Sequence, residues 1–291
     1  YLGVGGRALG MGGSYVAIAD DATSVYWNPA GLASLSRPAA SLMHSSLYGL
    51  DSYDFISIAY PAGGGSVGAG WLRVGVDEIM YTEVPKSFMP PGVLNRPYVV
   101  DTFSTSYNLF SISYGFKAWG GVMAGLSVKG VYIDTLWGVN AWGIGLDLGA
   151  LYRRGRLSLG AAVQDLTKTK LFWNTPPEEG TSHTDVMSPN LRVGVAYSVE
   201  IKRLKSRLTL SAEANSIYSF EKRAGVEWNI GDVISLRFGL QERKGLERRT
   251  DFTAGAGLKI KFVSGGGIDI DYAFLSSELG NCNRISLNIK I

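Results

Sequence analysis

The chain has 291 residues, 46% of them hydrophobic, yet no uninterrupted apolar run reaches the ~18 residues a membrane-crossing helix needs. Its formal net charge is +3, from 28 basic and 25 acidic residues dispersed along the chain, which argues against a nucleic-acid partner. The single cysteine, Cys282, excludes an internal disulfide framework and a cysteine-rich metal site.

The chain opens at Tyr1 with neither a basic nor an apolar leader region, so an export signal is expected to have been removed. Residues 1–38 show no sustained alternation. Asp20 or Asp21 can cap a short helical turn over Ala22–Tyr26, and Asn28-Pro29 initiates a turn. This stretch reads as a compact, irregular insert. Gly3, Gly5 and Ala8, and again Gly63, Gly65 and Gly68, mimic nucleotide-binding spacings. Neither set lies between a buried strand and a crossover helix, so dinucleotide binding is set aside.

From Ala39 onward apolar and small or polar residues alternate with period two. About fourteen segments result, near 39–47, 52–61, 66–77, 105–117, 122–133, 141–153, 157–165, 189–199, 206–215, 220–229, 233–241, 251–263, 267–274 and 283–291. Leu191, Val193, Val195 and Tyr197 share one face, against Arg192 and Gly194 on the other. Ile234, Leu236, Phe238 and Leu240 oppose Arg237 and Gly239; Ile268, Ile270, Tyr272 and Phe274 oppose Asp269 and Asp271. An apolar face toward lipid and a charged face toward a lumen is the pattern of an all-β, transmembrane antiparallel β-barrel. The 38 glycines, well above the usual ~7%, sit inside these segments, where crowded barrel walls use them.

Connections alternate between tight turns, such as Ala62-Gly63-Gly64-Gly65, Ala118-Trp119-Gly120-Gly121 and Ile230-Gly231-Asp232, and long loops near 78–104, 166–188, 242–250 and 275–282. Short turns on one side and longer loops on the other fit such a barrel. Tyr48, Tyr53, Tyr60, Trp142, Tyr152, Tyr197, Trp228, Phe262, Tyr272 and Phe274 fall near segment ends, as interfacial girdles do. Cys282 falls in the polar turn Glu278-Leu279-Gly280-Asn281-Cys282-Asn283 and is expected to be a free thiol.

The run Gly6-Arg7-Ala8-Leu9-Gly10-Met11-Gly12-Gly13, with Ala19-Asp20-Asp21-Ala22 and Trp27-Asn28-Pro29-Ala30-Gly31-Leu32, resembles the N-terminal signature of the PorV/PorQ family, within the superfamily of FadL-type outer-membrane transporters. That resemblance implies a fourteen-stranded barrel in the bacterial outer membrane, with residues 1–38 as a lumenal plug and residues 39–291 as the wall. It also implies a hatch role for Asn28, Pro29, Ala30 and Gly31, the other reading of these residues being a fixed turn that anchors the plug.

The lumen-facing charges Lys129, Asp147, Arg192, Glu213, Arg237, Lys259, Lys261, Asp269 and Asp271 either line a polar route or hold the plug by paired charges. His44 and His183 lack companions at ligand spacing, so no metal is expected. No nucleophile elbow or catalytic triad pattern is present; neither enzymatic activity nor a cofactor is expected. Phe88-Met89 and Leu171-Phe172-Trp173 form apolar patches in the long loops. The leading expectation is a FadL-like barrel that passes hydrophobic or amphipathic molecules, its partners being outer-membrane lipid and a lipid-like ligand. The alternative is a PorV-like barrel of type IX secretion whose external loops bind a secreted or surface protein.

Overall fold

The computed structural model describes residues 3–47, 51–175, 183–217, 220–244, 248–263, 265–277 and 280–291. Their strands are β1 (Ala39–Leu47), β2 (Asp51–Ala62), β3 (Gly65–Glu83), β4 (Tyr98–Lys117), β5 (Val122–Asp134), β6 (Asn140–Arg154), β7 (Leu157–Gln164), β8 (Lys170–Asn174), β9 (Thr184–Val186), β10 (Asn190–Ile201), β11 (Ser206–Asn215), β12 (Glu221–Ile230), β13 (Ile234–Lys244), β14 (Arg248–Lys261), β15 (Gly267–Ser277) and β16 (Gly280–Lys290). Fourteen of them, all but β8 and β9, form a closed antiparallel ring in chain order, with β7 beside β10 and β1 closing on β16. The amide of Ile291 donates to the Pro38 carbonyl at 2.9 Å, so the seam is tied where the wall starts and ends. Among the described residues no helix is long and apolar enough to cross a membrane.

Period two decides which side chains go where. Ile58, Ile112, Ile144, Phe238, Phe252 and Ile285 point outward and are exposed, an apolar belt that lipid satisfies and water does not. Their neighbours Ser57, Ser113, Arg237, Thr253 and Arg284 point inward and are buried, as is Asp147 beside the outward Leu148. Tight turns at Gly63-Gly64, Gly120-Gly121, Gly155 and Gly231 place glycine at positive φ, where a β-carbon is strained. Tyr60, Tyr152, Tyr197, Trp228 and Phe262 mark the turn-side rim; Trp142, tilted against Phe172 with ring centroids 5.2 Å apart, marks the other.

Several sequence expectations change. Tyr53 is not part of a girdle: it faces inward, 1% exposed, and donates its hydroxyl to the Gly3 carbonyl at 2.7 Å. Tyr48 lies outside the described residues. Two of the four long loops are mostly strand. β13 and β14 stay paired out to Lys244 and Arg248, and β15 and β16 out to Ser277 and Gly280. Cys282 is accordingly in β16 rather than a turn; it is buried on the inner face, 3.2 Å from the Ser45 hydroxyl, while Glu278 and Leu279 of that stretch lie outside the described residues. The β3–β4 ladder also runs past the wall, and the 166–188 region contains the β8–β9 hairpin.

Candidate functional site

The interior is where sequence and geometry concentrate. Residues 3–35 lie inside the ring: helix α1 (Gly6–Gly10) packs on β13 to β16, and the 3-10 turn Pro29–Ser34 packs on β3 to β6, so the segment reaches opposite walls. A β-carbon at Gly239 would stand 2.1 Å from the Gly12 nitrogen, one at Gly160 2.3 Å from the Val16 carbonyl oxygen, and one at Gly125 2.3 Å from the Pro29 carbonyl carbon. Backbone meets backbone there, which only glycine permits. This accounts for glycine inside strands that would otherwise favour β-branched residues.

Asn28, Pro29, Ala30 and Gly31 are all buried in this seat. Asn28 is the N-cap of the 3-10 turn, its Oδ1 accepting from the Ala30 amide at 3.1 Å. Its Nδ2 donates to the Val16 carbonyl at 2.9 Å and to the Ala150 carbonyl of β6 at 3.0 Å. Gly31 packs so closely that a β-carbon would lie 2.4 Å from the Ala19 carbonyl oxygen. One asparagine therefore joins two parts of the inner segment to the wall.

Charges fasten the opposite side. Arg7 Nε and Nη2 donate to Glu227 of β12 at 2.9 and 3.0 Å, and Arg7 Nη1 donates to Asp20 at 2.6 Å. Arg237 continues the chain, donating to Glu227 at 2.8 Å and to Asp271 at 2.7 Å, and Asn288 donates to Asp271 at 3.0 Å. Glu213 accepts from Arg192 Nε at 2.8 Å and from the Tyr15 and Val16 amides at 2.8 and 2.9 Å; the Arg192 guanidinium lies 4.5 Å over the Trp27 ring. Burial pushes the Asp20 carboxyl up, but Arg7, with Lys290 and Arg153, outweighs it and holds the group below its ordinary range.

Lys129 and Asp147 belong to a separate cluster. The Lys129 ammonium is 2.7 Å from Asp147 and 2.9 Å from Asp165; the Asp165 amide donates to Asp147 at 2.8 Å and Thr169 donates to Asp165 at 2.6 Å. The cluster marks an interruption of the wall. β6 pairs with β7 only from Leu148 to Arg154 and with β8 only from Asn140 to Trp142. Between them the chain bulges inward, with positive φ at Asp165 and Lys168, and lays its backbone over Gly143 and the Thr169 side chain over Gly145. A β-carbon at Gly143 would meet the Lys170 carbonyl oxygen at 2.3 Å. The amide of Leu166 donating to the Leu146 carbonyl at 2.9 Å bridges the interruption.

Lys259 and Asp269 join neither cluster. They are register partners near the turn-side end of β14 and β15, and Lys261 reaches Asp232 in a turn at 3.1 Å. The apolar loop residues also separate. Phe88 is 83% exposed at a loop tip with Met89 beside it half-buried; Phe172 faces outward; Trp173 donates to Asp185 and stacks on His183. Leu171 is not an external contact: the bulge turns it inward, where it is buried in the core. His44 has the carboxylate companion that sequence spacing did not reveal, Asp54, its cross-strand partner at 2.6 Å. Among the described residues no three metal-ligating side chains converge.

The interior is two-sided. Opposite the charged wall lies an apolar cluster of Val4, Val25, Trp27, Phe55, Leu72 and Val131, and Val74, Tyr107, Ile133, Trp173 and Met187 pack on it half-buried. Sequence reasoning missed Arg7, Glu227, Asp165 and Arg284. Glu227 had a signal, since it alternates with the outward Trp228. Arg284, which donates to the Gly3 carbonyl at 2.7 Å, alternates with Ile285 in the same way. Asp165 had none, because its position depends on the bulge.

No family model matches this chain, and no curated protein matches it. Solved structures do. The Ralstonia pickettii toluene transporter TbuX is similar at TM-score 0.60 and 15% identity, over 99% of this chain and 97% of that one. The Pseudomonas putida toluene transporter TodX gives 0.62 and 14%, over 99% and 97%. A Pseudomonas aeruginosa FadL homologue gives 0.58 and 12%, over 98% and 97%. At such identities the likeness is one of fold, and it runs nearly end to end over both chains.

Proposed function

We propose that this chain is an outer-membrane barrel through which hydrophobic or amphipathic molecules pass, with residues 1–38 as a plug and residues 39–291 as the wall. The observation that carries this reading is the apolar side of the interior, running from Val131 and Phe55 to the half-buried Val74, Tyr107, Ile133 and Trp173. An aqueous pore has no use for such a lining, whereas an apolar solute leaves water to occupy it. The toluene transporters of similar fold favour the same class of cargo.

In this reading the plug stays seated. Asn28-Pro29-Ala30-Gly31 is an anchor, and Arg192, Glu213, Arg237 and Asp271 hold the plug by paired charge. Cargo moves along the apolar side, and the weakest part of the wall beside it is the bulge clamped by Lys129 and Asp147. The test is tryptophan quenching of purified protein by a brominated alkane. Saturable quenching that disappears in Ile133→Asp is expected; quenching identical in wild type and variant contradicts the reading.

A second reading, a PorV-like barrel holding a secreted or surface protein, has one observation in its favour. Phe88, Val93 and Leu94 at the loop tip are each at least 80% exposed, an apolar tip with no fold role. Removing residues 86–95 and finding an unchanged set of co-purifying proteins would remove that reading.

A further inference from the structure

Two neighbouring turns at one end of the barrel gather exposed cations. Arg154 and Arg156 flank Gly155 between β6 and β7, and Lys202, Arg203 and Lys205 stand in the connection between β10 and β11, which holds the 3-10 turn Lys202–Leu204. All five are exposed. The turns lie side by side because β7 pairs with β10: Tyr197 is the register partner of Leu157, and the Ser198 amide donates to the Arg156 carbonyl at 2.9 Å. Adjacent strands are only ~4.8 Å apart, so the charges of both turns act on the same volume outside the wall.

The carboxylates of this rim are already engaged. Glu200 is held by Arg207 at 3.0 Å, and Asp232 of the next turn by Lys261 at 3.1 Å. Among the described residues none of the five cations has a carboxylate within salt-bridge distance, so five positive charges stand uncompensated once those two pairs are set aside. At the opposite rim, by contrast, Arg73, Arg243 and Arg248 meet Asp77, Asp251 and Glu242 at 3.5, 2.7 and 3.0 Å. Lys205 adds a backbone observation. It occupies the left-handed region at φ 44, where the turns at Gly155 and Gly231 use glycine, so a side chain is kept there at a conformational cost that glycine avoids.

We infer that this patch binds the head groups of anionic phospholipids in the leaflet on the turn side, which is the periplasmic leaflet for barrels of this architecture. Its position selects a lipid over a soluble polyanion. On the membrane side of the patch the outward Leu157, Leu159 and Tyr197 belong to the apolar belt, and tyrosine marks the rim, so the cations stand at the depth where head groups lie. Leu204, 55% exposed, sits among Lys202, Arg203 and Lys205, an apolar side chain that a bilayer interface accommodates better than water does. Polybasic stretches beside a membrane gain affinity for anionic lipid with each added Lys or Arg, and their long stems let the charged ends reach the phosphates. The inference rests on the barrel standing in a membrane and is independent of what crosses its interior.

The test is electron paramagnetic resonance of spin-labelled phosphatidylglycerol and phosphatidylcholine in phosphatidylcholine vesicles holding the full chain, which reads the lipid retained at the protein surface and is blind to passage. The wild type is expected to retain phosphatidylglycerol over phosphatidylcholine by about threefold or more, a preference that fades in ~1 M salt as screening shortens to ~3 Å. It is expected to vanish in Arg154→Gln/Arg156→Gln/Lys202→Gln/Arg203→Gln/Lys205→Gln and to survive in the charge-keeping Arg154→Lys/Arg156→Lys/Lys202→Arg/Arg203→Lys/Lys205→Arg. Arg96→Gln, in the connection between β3 and β4 at the other rim, is expected to leave it unchanged. No preference in the wild type, even with soluble polyglutamate bound to the patch, overturns the inference. So does a preference that salt or the glutamine variant leaves in place, or one that the charge-keeping variant loses.

Discussion

Gly239 illustrates how single positions set the relation between the wall and the inner segment. Any side chain there meets the Gly12 amide nitrogen at 2.1 Å, and backbone cannot swing aside as a long side chain can. Gly239→Val is therefore expected to displace the inner segment and expose the Arg7 peptide bond to trypsin, whereas Gly130→Ala, with nothing within 4 Å of its added carbon, leaves the digestion pattern unchanged. Asp20 gives a prediction in pH. Its carboxyl titrates below the ordinary range because of Arg7, so the stabilisation it contributes is complete above the unfolded-state pKa near ~3.9 and fades as pH falls through the lower folded-state value. Wild type is expected to melt above Asp20→Asn at neutral pH, with the gap closing only in strong acid. A gap independent of pH would show that the Arg7–Asp20 contact contributes nothing through charge.

Among the elements, the β7–β8 bulge shows where reading from sequence works and where it stops. Face assignments such as Arg237 against Phe238, or Asp271 against Tyr272, are legible because period two holds wherever one side meets lipid and the other a packed interior. The signal fails at residues 242–250, where Arg243, Lys244, Arg248 and Arg249 put charge on both faces, since strands that continue beyond the lipid belt meet water on both sides. It fails again at Leu171, because extra residues in the bulge reset which face an apolar residue takes. The charges of the inner site were partly legible for the same reason, and their partners were not: no spacing rule pairs Lys129 with Asp165 or Arg7 with Glu227. Removing one member of the bulge cluster is expected to be costly. Lys129→Met leaves Asp147 and Asp165 facing each other at 2.7 and 2.9 Å from the lost ammonium, and buried ion pairs broken on one side typically lose ~3–5 kcal/mol. Urea unfolding in lipid vesicles measures this, and a loss below ~1 kcal/mol would mean that the bulge is held by its backbone alone.

For the whole molecule, the arrangement is a closed wall with an apolar outer face and an interior in which buried ion pairs hold the inner segment on one side and an apolar cluster, edged by half-buried side chains, packs on the other. An inner segment tied by backbone contacts to opposite walls is a poor candidate for wholesale ejection, and the proposed passage therefore follows the apolar side of the interior. The most direct measurement is uptake of a hydrophobic fluorescent probe by vesicles containing the protein. Uptake well above protein-free vesicles, reduced about tenfold or more by Ile133→Asp and kept when the plug is left intact and protease-resistant, is the expected result. Uptake no faster than through protein-free lipid, or uptake indifferent to Ile133→Asp, would contradict passage along the apolar side.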